Sequence, residues 1–403
     1  MRLTILLPLV AFTSGLFAQA DLEKQIQTQL IMAEDGDVIV LPAGKISLSN
    51  TLWLDGKNNI TIRGAGIDKT ILTFKDQKQG AEGLKVTNGR NIVLEKFTLE
   101  DSKGDLVKTQ TVNNIVFRDL KAQWTGKPHK SNGAYAIYPV QCQNVRIERC
   151  TAIGASDAGV YVGQSDSVWV TECFAKNNVA GIEIENTTNA WVWNNISMEN
   201  TGGILIFDLP DLPKKRGGHV KVWQNKVIRN NYKNFAPKGN IVGMVPPGTG
   251  IMVLATNDVE IMENTIFDNK TASTAIISYY VTENPINDKD YIPYPSQINI
   301  HDNQYSEGKR MPTWKNKLGF LFWTKFGRKV PHIIYDGIQN EAWTEASTGQ
   351  LKQGYRICVR DNQNGTFANI KADKKFKGIS RDLLPYDCAL EVMEVVDWVI
   401  KRN

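Results

Sequence analysis

Three stretches of the chain share one pattern of apolar and polar positions: "AGVYVGQ" at 158–164, "AGIEIEN" at 180–186 and "GGILIFD" at 202–208. Each starts 22 residues after the one before and reads small, Gly, apolar, any, apolar, any, polar. Alternation with a period of two marks a strand with one covered face. A second frame runs beside it: "VRIERC" (145–150), "VWVTEC" (168–173), "AWVWNN" (190–195), "VKVWQN" (220–225), "VEIMEN" (259–264) and "INIHDN" (298–303), preceded by "ITIRGA" (60–65), "IVLEKF" (92–97) and "IVFRDL" (115–120). The last residues of these segments make one column: Ala65, Phe97, Leu120, Cys150, Cys173, Asn195, Asn225, Asn264 and Asn303. The spacing within it is 22–23 residues at its shortest and 39 at its longest, so a constant core is sometimes lengthened by a loop.

A repeat of this length, made of short strands with Gly or Asn at the corners, predicts the coils of a parallel β-helix. Val160, Ile182 and Ile204 would then stack as an inward apolar ladder, and each corner Asn would bond the backbone of the adjacent coil. Cys150 and Cys173 stand in that column as small buried residues, with a coil-to-coil disulfide as the other option. Cys142 falls in a turn and reads as a free thiol. "DLEKQIQTQL" places Leu22, Ile26 and Leu30 on one helical face, suited to covering the open end of the solenoid. The expected fold is all-β, a right-handed parallel β-helix of the pectin lyase-like kind, with an N-terminal capping helix and a C-terminal cap. The expected division is a leader at 1–20, the β-helix at 21–305, and a strap with a small cap at 306–403. Cys358 and Cys388, isolated in that tail, are expected to pair.

Composition narrows the setting. "MRLTILLPLVAFTSGLFAQA" reads as a secretory signal peptide cut after Ala20, which predicts an exported protein, periplasmic or extracellular. No later run reaches the roughly 18 apolar residues of a transmembrane helix. The formal charge of +5 is small and the basic residues are scattered, which gives no sign of a nucleic-acid partner. The sequence has no CxxC pair and no His/Cys cluster at zinc spacing.

Candidate chemistry lies where loops gather. Insertions at 124–135, 208–219, 230–250 and 282–297 flank the strands of the first frame. On their outward side Glu183 falls between Tyr161 and Leu205, and Glu185 aligns with Gly163 and Phe207. The next column is Gln164, Asn186 and Asp208, and Asp157 lies one residue ahead of its small-Gly pair. Glu183, Glu185 and Asp208 are the candidate acid–base residues. Asp157, Tyr161, Gln164, Asn186 and Phe207 are candidate contacts for a sugar chain. The same carboxylates suit Ca²⁺; no other cofactor is indicated. The competing reading is that they solvate an outer wall. His129 and His219 lie in loops within possible reach of the groove. "TWKNKLGFLFWTKFGRK" (313–329) interleaves five rings with five basic residues, which suits either a strap along the solenoid or contact with a membrane surface or partner.

The strings "GAYAIYPVQCQNV", "GASDAGVYVGQS", "NVAGIEIENT" and "TGGILIFDLPDLP" resemble an exported bacterial family, the parallel β-helix repeat-containing proteins. The resemblance covers about 34–305 and, loosely, the tail. It implies the fold, export, and a partner, since members are often encoded beside a dihaem cytochrome c-type protein; it carries over no active site. More distantly the chain resembles carbohydrate-binding and sugar-hydrolase β-helix domains and a copper-delivery β-helix protein, though no Met/His cluster suits copper. The "DPHD" of alginate epimerases is missing. The expected function is therefore binding or modification of a polysaccharide in a groove formed by the 157–208 strands and the loops above them. The alternative is a non-enzymatic scaffold that docks an exported dihaem cytochrome c.

Overall fold

The computed structural model describes residues 13–306, 308 and 311–396. Three parallel sheets, of 11, 10 and 11 strands, wind around a common apolar core. The first sheet runs from Val38–Val40 to Ile357–Arg360, the second from Gly44–Ser47 to Gln304–Ser306, and the third from Asn50–Asp55 to Phe367–Asn369. Each full coil supplies one strand to each sheet in turn, so strands that neighbour in space are one coil apart in sequence. The register is the one the repeat predicts: Val160 pairs Ile182, which pairs Ile204, and Val168 pairs Ala190, which pairs Val220. These inward side chains are fully buried in one continuous core. The fold is the expected right-handed parallel β-helix.

The corner between the first and second sheets explains the Asn column. Each link there has two residues. The first turns the chain through positive φ (Asn194 at 53°, Gln224 at 55°, Glu263 at 52°), and the second is buried. Asn225 Oδ1 accepts from both the N–H and the Nδ2 of Asn195, at 3.0 Å each, while its own Nδ2 donates to Val192 O at 2.9 Å. Asn264 and Asn303 repeat the arrangement, and Asn362 extends it past the last frame seen in the sequence. Cys150 and Cys173 occupy the same column as buried free thiols, and Cys142 is also free and buried. A second ladder, Asn178, Asn200, Asn230 and Asn269, lines the opposite corner and was not apparent from the sequence.

At the N-terminal end helix α1 (Thr13–Met32) covers the first coil with Ile26 and Leu30 buried and Leu22 packed beside them. Glu23 fixes the helix by accepting from the backbone N–H groups of Ser49 and Asn50. Residues 1–12 of the expected leader lie outside the described residues, and the helix runs unbroken through Ala20. Among the described residues no helix is long and apolar enough to cross a membrane. At the other end the stacking continues past 306, where the sequence frame fades. Ile333–Tyr335 and Phe367–Asn369 join the third sheet, and Ile357–Arg360 joins the first. The frame is hard to read there because long inserts separate these strands. Cys358, on the last strand of the first sheet, forms a disulfide with Cys388. The tail then returns over the first sheet, where Met393 O accepts from Lys221 Nζ at 2.8 Å.

Candidate functional site

The third sheet turns one row of side chains outward, and its character changes along the solenoid. In register, coil by coil, it reads Trp53, Lys85, Lys108, Tyr138, then Tyr161, Glu183, Leu205, Met252 and Ala275. The first four are exposed or half-buried; from Tyr161 onward every member is buried. The acids therefore do not solvate an outer wall. Loops from 124–135 and 230–250 and the strands beside them enclose them.

Within the enclosed part, Tyr161, Glu183, Glu185 and Asp157 come together as the alternation implied. Gly163 makes this possible: a side chain at that position would collide with the Tyr161 ring, with a Cβ only 2.5 Å from its hydroxyl. The ring instead folds across the glycine, and its hydroxyl donates to Glu185 Oε1 on the next coil at 2.5 Å. Asp157 Oδ2 accepts from Asn240 Nδ2 at 2.9 Å, which pins the 230–250 loop over the cluster. Glu183 is 1% exposed, and its Oε2 has no hydrogen-bond partner among the described residues. An unsatisfied buried carboxyl oxygen is costly and rare.

Three further groups belong to the cluster and escaped sequence reasoning. Tyr135 and Tyr138 pack on Tyr161 with ring centroids 4.3 and 5.0 Å away. Asp105, a coil below, accepts from the Tyr135 N–H at 3.1 Å. The available signal covered Tyr138 alone: the alternation around inward Ile137 turns it outward on the rung below Tyr161, whereas Tyr135, two residues before Ile137, would be read as inward.

Burial dominates the electrostatics. It pushes Asp157 up to about 7, against the hydrogen bond from Asn240 and with the neighbouring Glu185 adding to the rise. Asp105 is raised to about 6 by burial, opposed by the Tyr135 N–H and Lys108. Glu183 is raised by burial and then by Asp157 and Glu185, and Glu185 by burial against the Tyr161 hydroxyl. Four carboxyls this close cannot all ionise in a low-dielectric setting. Burial and mutual repulsion both favour the neutral carboxyl here, which biases the cluster toward hydrogen-bond donors beside a latent base.

The other expected contacts serve the 208–219 loop. Asn186 clamps it, accepting from the Leu209 N–H at 2.8 Å and donating to Leu209 O and Lys214 O. Gln164 Oε1 accepts from the Lys214 N–H at 3.4 Å. Asp208 Oδ1 accepts from the Gly217 N–H at 2.9 Å, and burial raises its carboxyl to about 7. Phe207 pairs with Glu185 on the neighbouring coil and also lines an apolar cleft that opens further along. His129 bonds Ser131 in its own loop and His219 bonds Asp258 on the first sheet. No group of three or more His, Cys, Asp or Glu among the described residues is placed to hold a metal ion.

The open part of the row is cationic and aromatic. Lys108 Nζ lies 4.9 Å from the Tyr138 ring centroid and Lys85 Nζ lies 5.6 Å from that of Trp53. A strip of rings and ammonium groups thus leads along the sheet to the acid cluster.

A family model described as "Right handed beta helix region" matches residues 50–231 and 129–289, together more than half of the chain. A pre-neck appendage protein of Bacillus phage B103 is 25% identical over 208 residues, covering 42% of this chain and 24% of its own length. The preneck appendage protein of Bacillus phage PZA is 25% identical over 292 residues, 61% of this chain and 33% of its own length. The chain therefore spans a third or less of these curated relatives. Among solved structures, the A-module of Azotobacter vinelandii mannuronan C-5 epimerase AlgE4 superposes with a TM-score of 0.50 at 14% identity, covering 87% of this chain and 91% of the module. The AlgE6 A-module gives 0.51 at 12% identity over 86% and 90%. At such identities the likeness is one of fold.

Proposed function

This chain belongs to the right-handed β-helix family, and on that premise we propose that it binds an anionic polysaccharide along the outer face of the third sheet and acts on it by proton transfer. The observation that carries this reading is the continuous row from Trp53, Lys85, Lys108 and Tyr138 into the buried acids. Rings can stack on pyranose faces, and ammonium groups can pair with carboxylates along a polyuronate. The two similar modules are named for action on mannuronan, a polyuronate, which supports the substrate class.

The acid cluster suits chemistry beside a sugar carboxylate. Removing the proton next to that group needs the carboxylate neutralised by hydrogen-bond donors and a base within reach. Protonated Asp157 and Glu183 can donate, and Glu185 with the Tyr161 hydroxyl can relay the proton. Asn240 closes the site, so the 230–250 loop has to lift for a polymer to reach Glu183. The missing "DPHD" means that the residues doing this differ from those of the alginate epimerases. As for a scaffold docking a dihaem cytochrome c, its docking loops are engaged within the chain, 230–250 over the cluster and 208–219 on Asn186 and Gln164, which favours the polysaccharide reading.

The test has two arms. In affinity electrophoresis, alginate and pectate should retard the protein and neutral glucans should not; Lys85→Ala with Lys108→Ala should weaken the effect by about tenfold or more, as expected for two desolvated charge contacts. In D₂O, the wild type should place deuterium in the bound polymer and Glu185→Gln, which cannot relay a proton, should not. Equal or absent retardation by charged and neutral polymers overturns the binding site, and unchanged exchange in Glu185→Gln overturns the chemistry.

A further inference from the structure

Helix α2 (Lys317–Phe326) lies across the C-terminal half of the third sheet. Its inner side is accounted for: Phe322 is fully buried, and Leu318, Leu321 and Phe326 pack on the same cluster. A strap would need no more. Yet the outer side carries Phe320 at 49% exposure and Trp323 at 39%, their ring centroids 5.9 Å apart, and Trp314, two residues before the helix-capping Asn316, is 67% exposed. Met244 and Met311 add further exposed apolar surface at 41% and 37%. The rings are held in place, because the Asn316 side chain caps the helix at Leu318 N (2.9 Å) and also bonds Met244 O (3.3 Å).

Positive charge surrounds this patch. Lys315, Lys317, Lys325, Arg328 and Lys329 are all exposed, and among the described residues only Lys317 is engaged in an ion pair, with Glu283 at 3.0 Å. Behind the helix an apolar cleft of 670 Å³ opens between Leu318 and Leu321 on one side and Phe207, Met252, Leu254 and Ile277 on the other. Aromatic rings that project outward, an excess of exposed cations on the same segment and an apolar space behind them are the three features of an interfacial anchor. The rings sit at headgroup level, the cations attract anionic lipid, and an acyl chain fits the cleft.

We propose that α2 and its flanks dock the protein on an anionic phospholipid surface, with Trp314, Phe320 and Trp323 in the interface. A neutral docking partner would leave the basic collar unexplained, and a polyuronate, which rings and ammonium groups alone could hold, would leave the apolar cleft behind the helix unexplained. This surface lies beyond the acid cluster along the solenoid, and its test reads vesicle binding without any activity at the cluster.

Flotation with vesicles tests it, using the full chain. Vesicles of phosphatidylglycerol and phosphatidylcholine should carry the protein, pure phosphatidylcholine should carry far less, and 0.5 M salt should reduce binding by weakening the charge attraction. Phe320→Ser with Trp323→Ser should lower the partition coefficient by roughly tenfold or more, with the melting temperature checked to show an intact fold. Acyl chains brominated near the headgroup should quench tryptophan fluorescence, and Trp314→Phe with Trp323→Phe should abolish that quenching while binding persists. No flotation on anionic vesicles, flotation unchanged by the serine variants, or quenching retained in the phenylalanine variants overturns the proposal.

Discussion

Glu183 stands where its neighbours on either coil would predict a different residue. The row continues with Leu205 and Met252, the site is fully enclosed, and one carboxyl oxygen has no partner among the described residues. Local rules broken without structural compensation point to function. A carboxyl whose folded pKa is raised stabilises the fold fully below its ordinary value, and that contribution is lost as pH rises through the folded value. For Asp157 and Asp208, raised to about 7, and Asp105, raised to about 6, the loss falls between about pH 4 and 7. The acids lowered by partners, such as Asp166 and Glu260, act at the acid end of the scale, while Asp336, raised by burial to about 7 outside the cluster, adds to the same loss equally in wild type and in a Glu183 variant. The melting temperature should fall as pH rises from 5 to 8. Glu183→Met should raise stability at pH 8 by about 1–2 kcal/mol, the scale of an unsatisfied buried polar group, and should flatten the pH slope. Calorimetry across that range checks both, and His301 contributes equally to the two proteins and cancels. A less stable Glu183→Met would mean that the carboxyl is a structural strut.

At the scale of elements, the strands and the first Asn column could be read from sequence because both repeat on the coil length. Glu183, Glu185 and Tyr161 could be placed on one face for the same reason. Their burial could not be read, since it depends on where non-repeating loops fold back, and Asn240 reaching Asp157 has no periodic signature. The second ladder, Asn178 to Asn269, was hidden because it follows strands of only three residues, too short to show alternation. The ladders hold the corners by hydrogen bonds that no water can replace. Asn225→Ala would leave two donors of Asn195 and the carbonyl of Val192 unpaired, and should cost about 3 kcal/mol or more in chemical denaturation. Gln224→Ala, one residue earlier with a single exposed side-chain bond to Glu263, should cost less than about 1 kcal/mol. Equal losses for the two would remove the special role of the column.

Over the whole molecule, the solenoid separates its tasks along one axis. An open ring-and-ammonium strip comes first, then the enclosed acids, then an apolar region under α2 with outward rings, all on the third sheet. The first sheet is engaged differently: its acids and bases alternate as Arg63, Glu95, Arg118 and Glu148, and its far end is crossed by the disulfide-tethered tail. The coils do not grow equally at their three corners. From Arg90–Glu95 to Ser296–His301, every first-sheet strand reaches its second-sheet successor through two residues, whereas the other two corners accept links as short as two or three residues and as long as the 230–250 loop. In a gene of this kind, in-frame insertions can survive at two corners of every coil and are purged at the third. The Asn corner is thus a fixed seam, and new segments grafted into such a scaffold would emerge along the two borders of the third sheet, beside the face where the chemistry gathers.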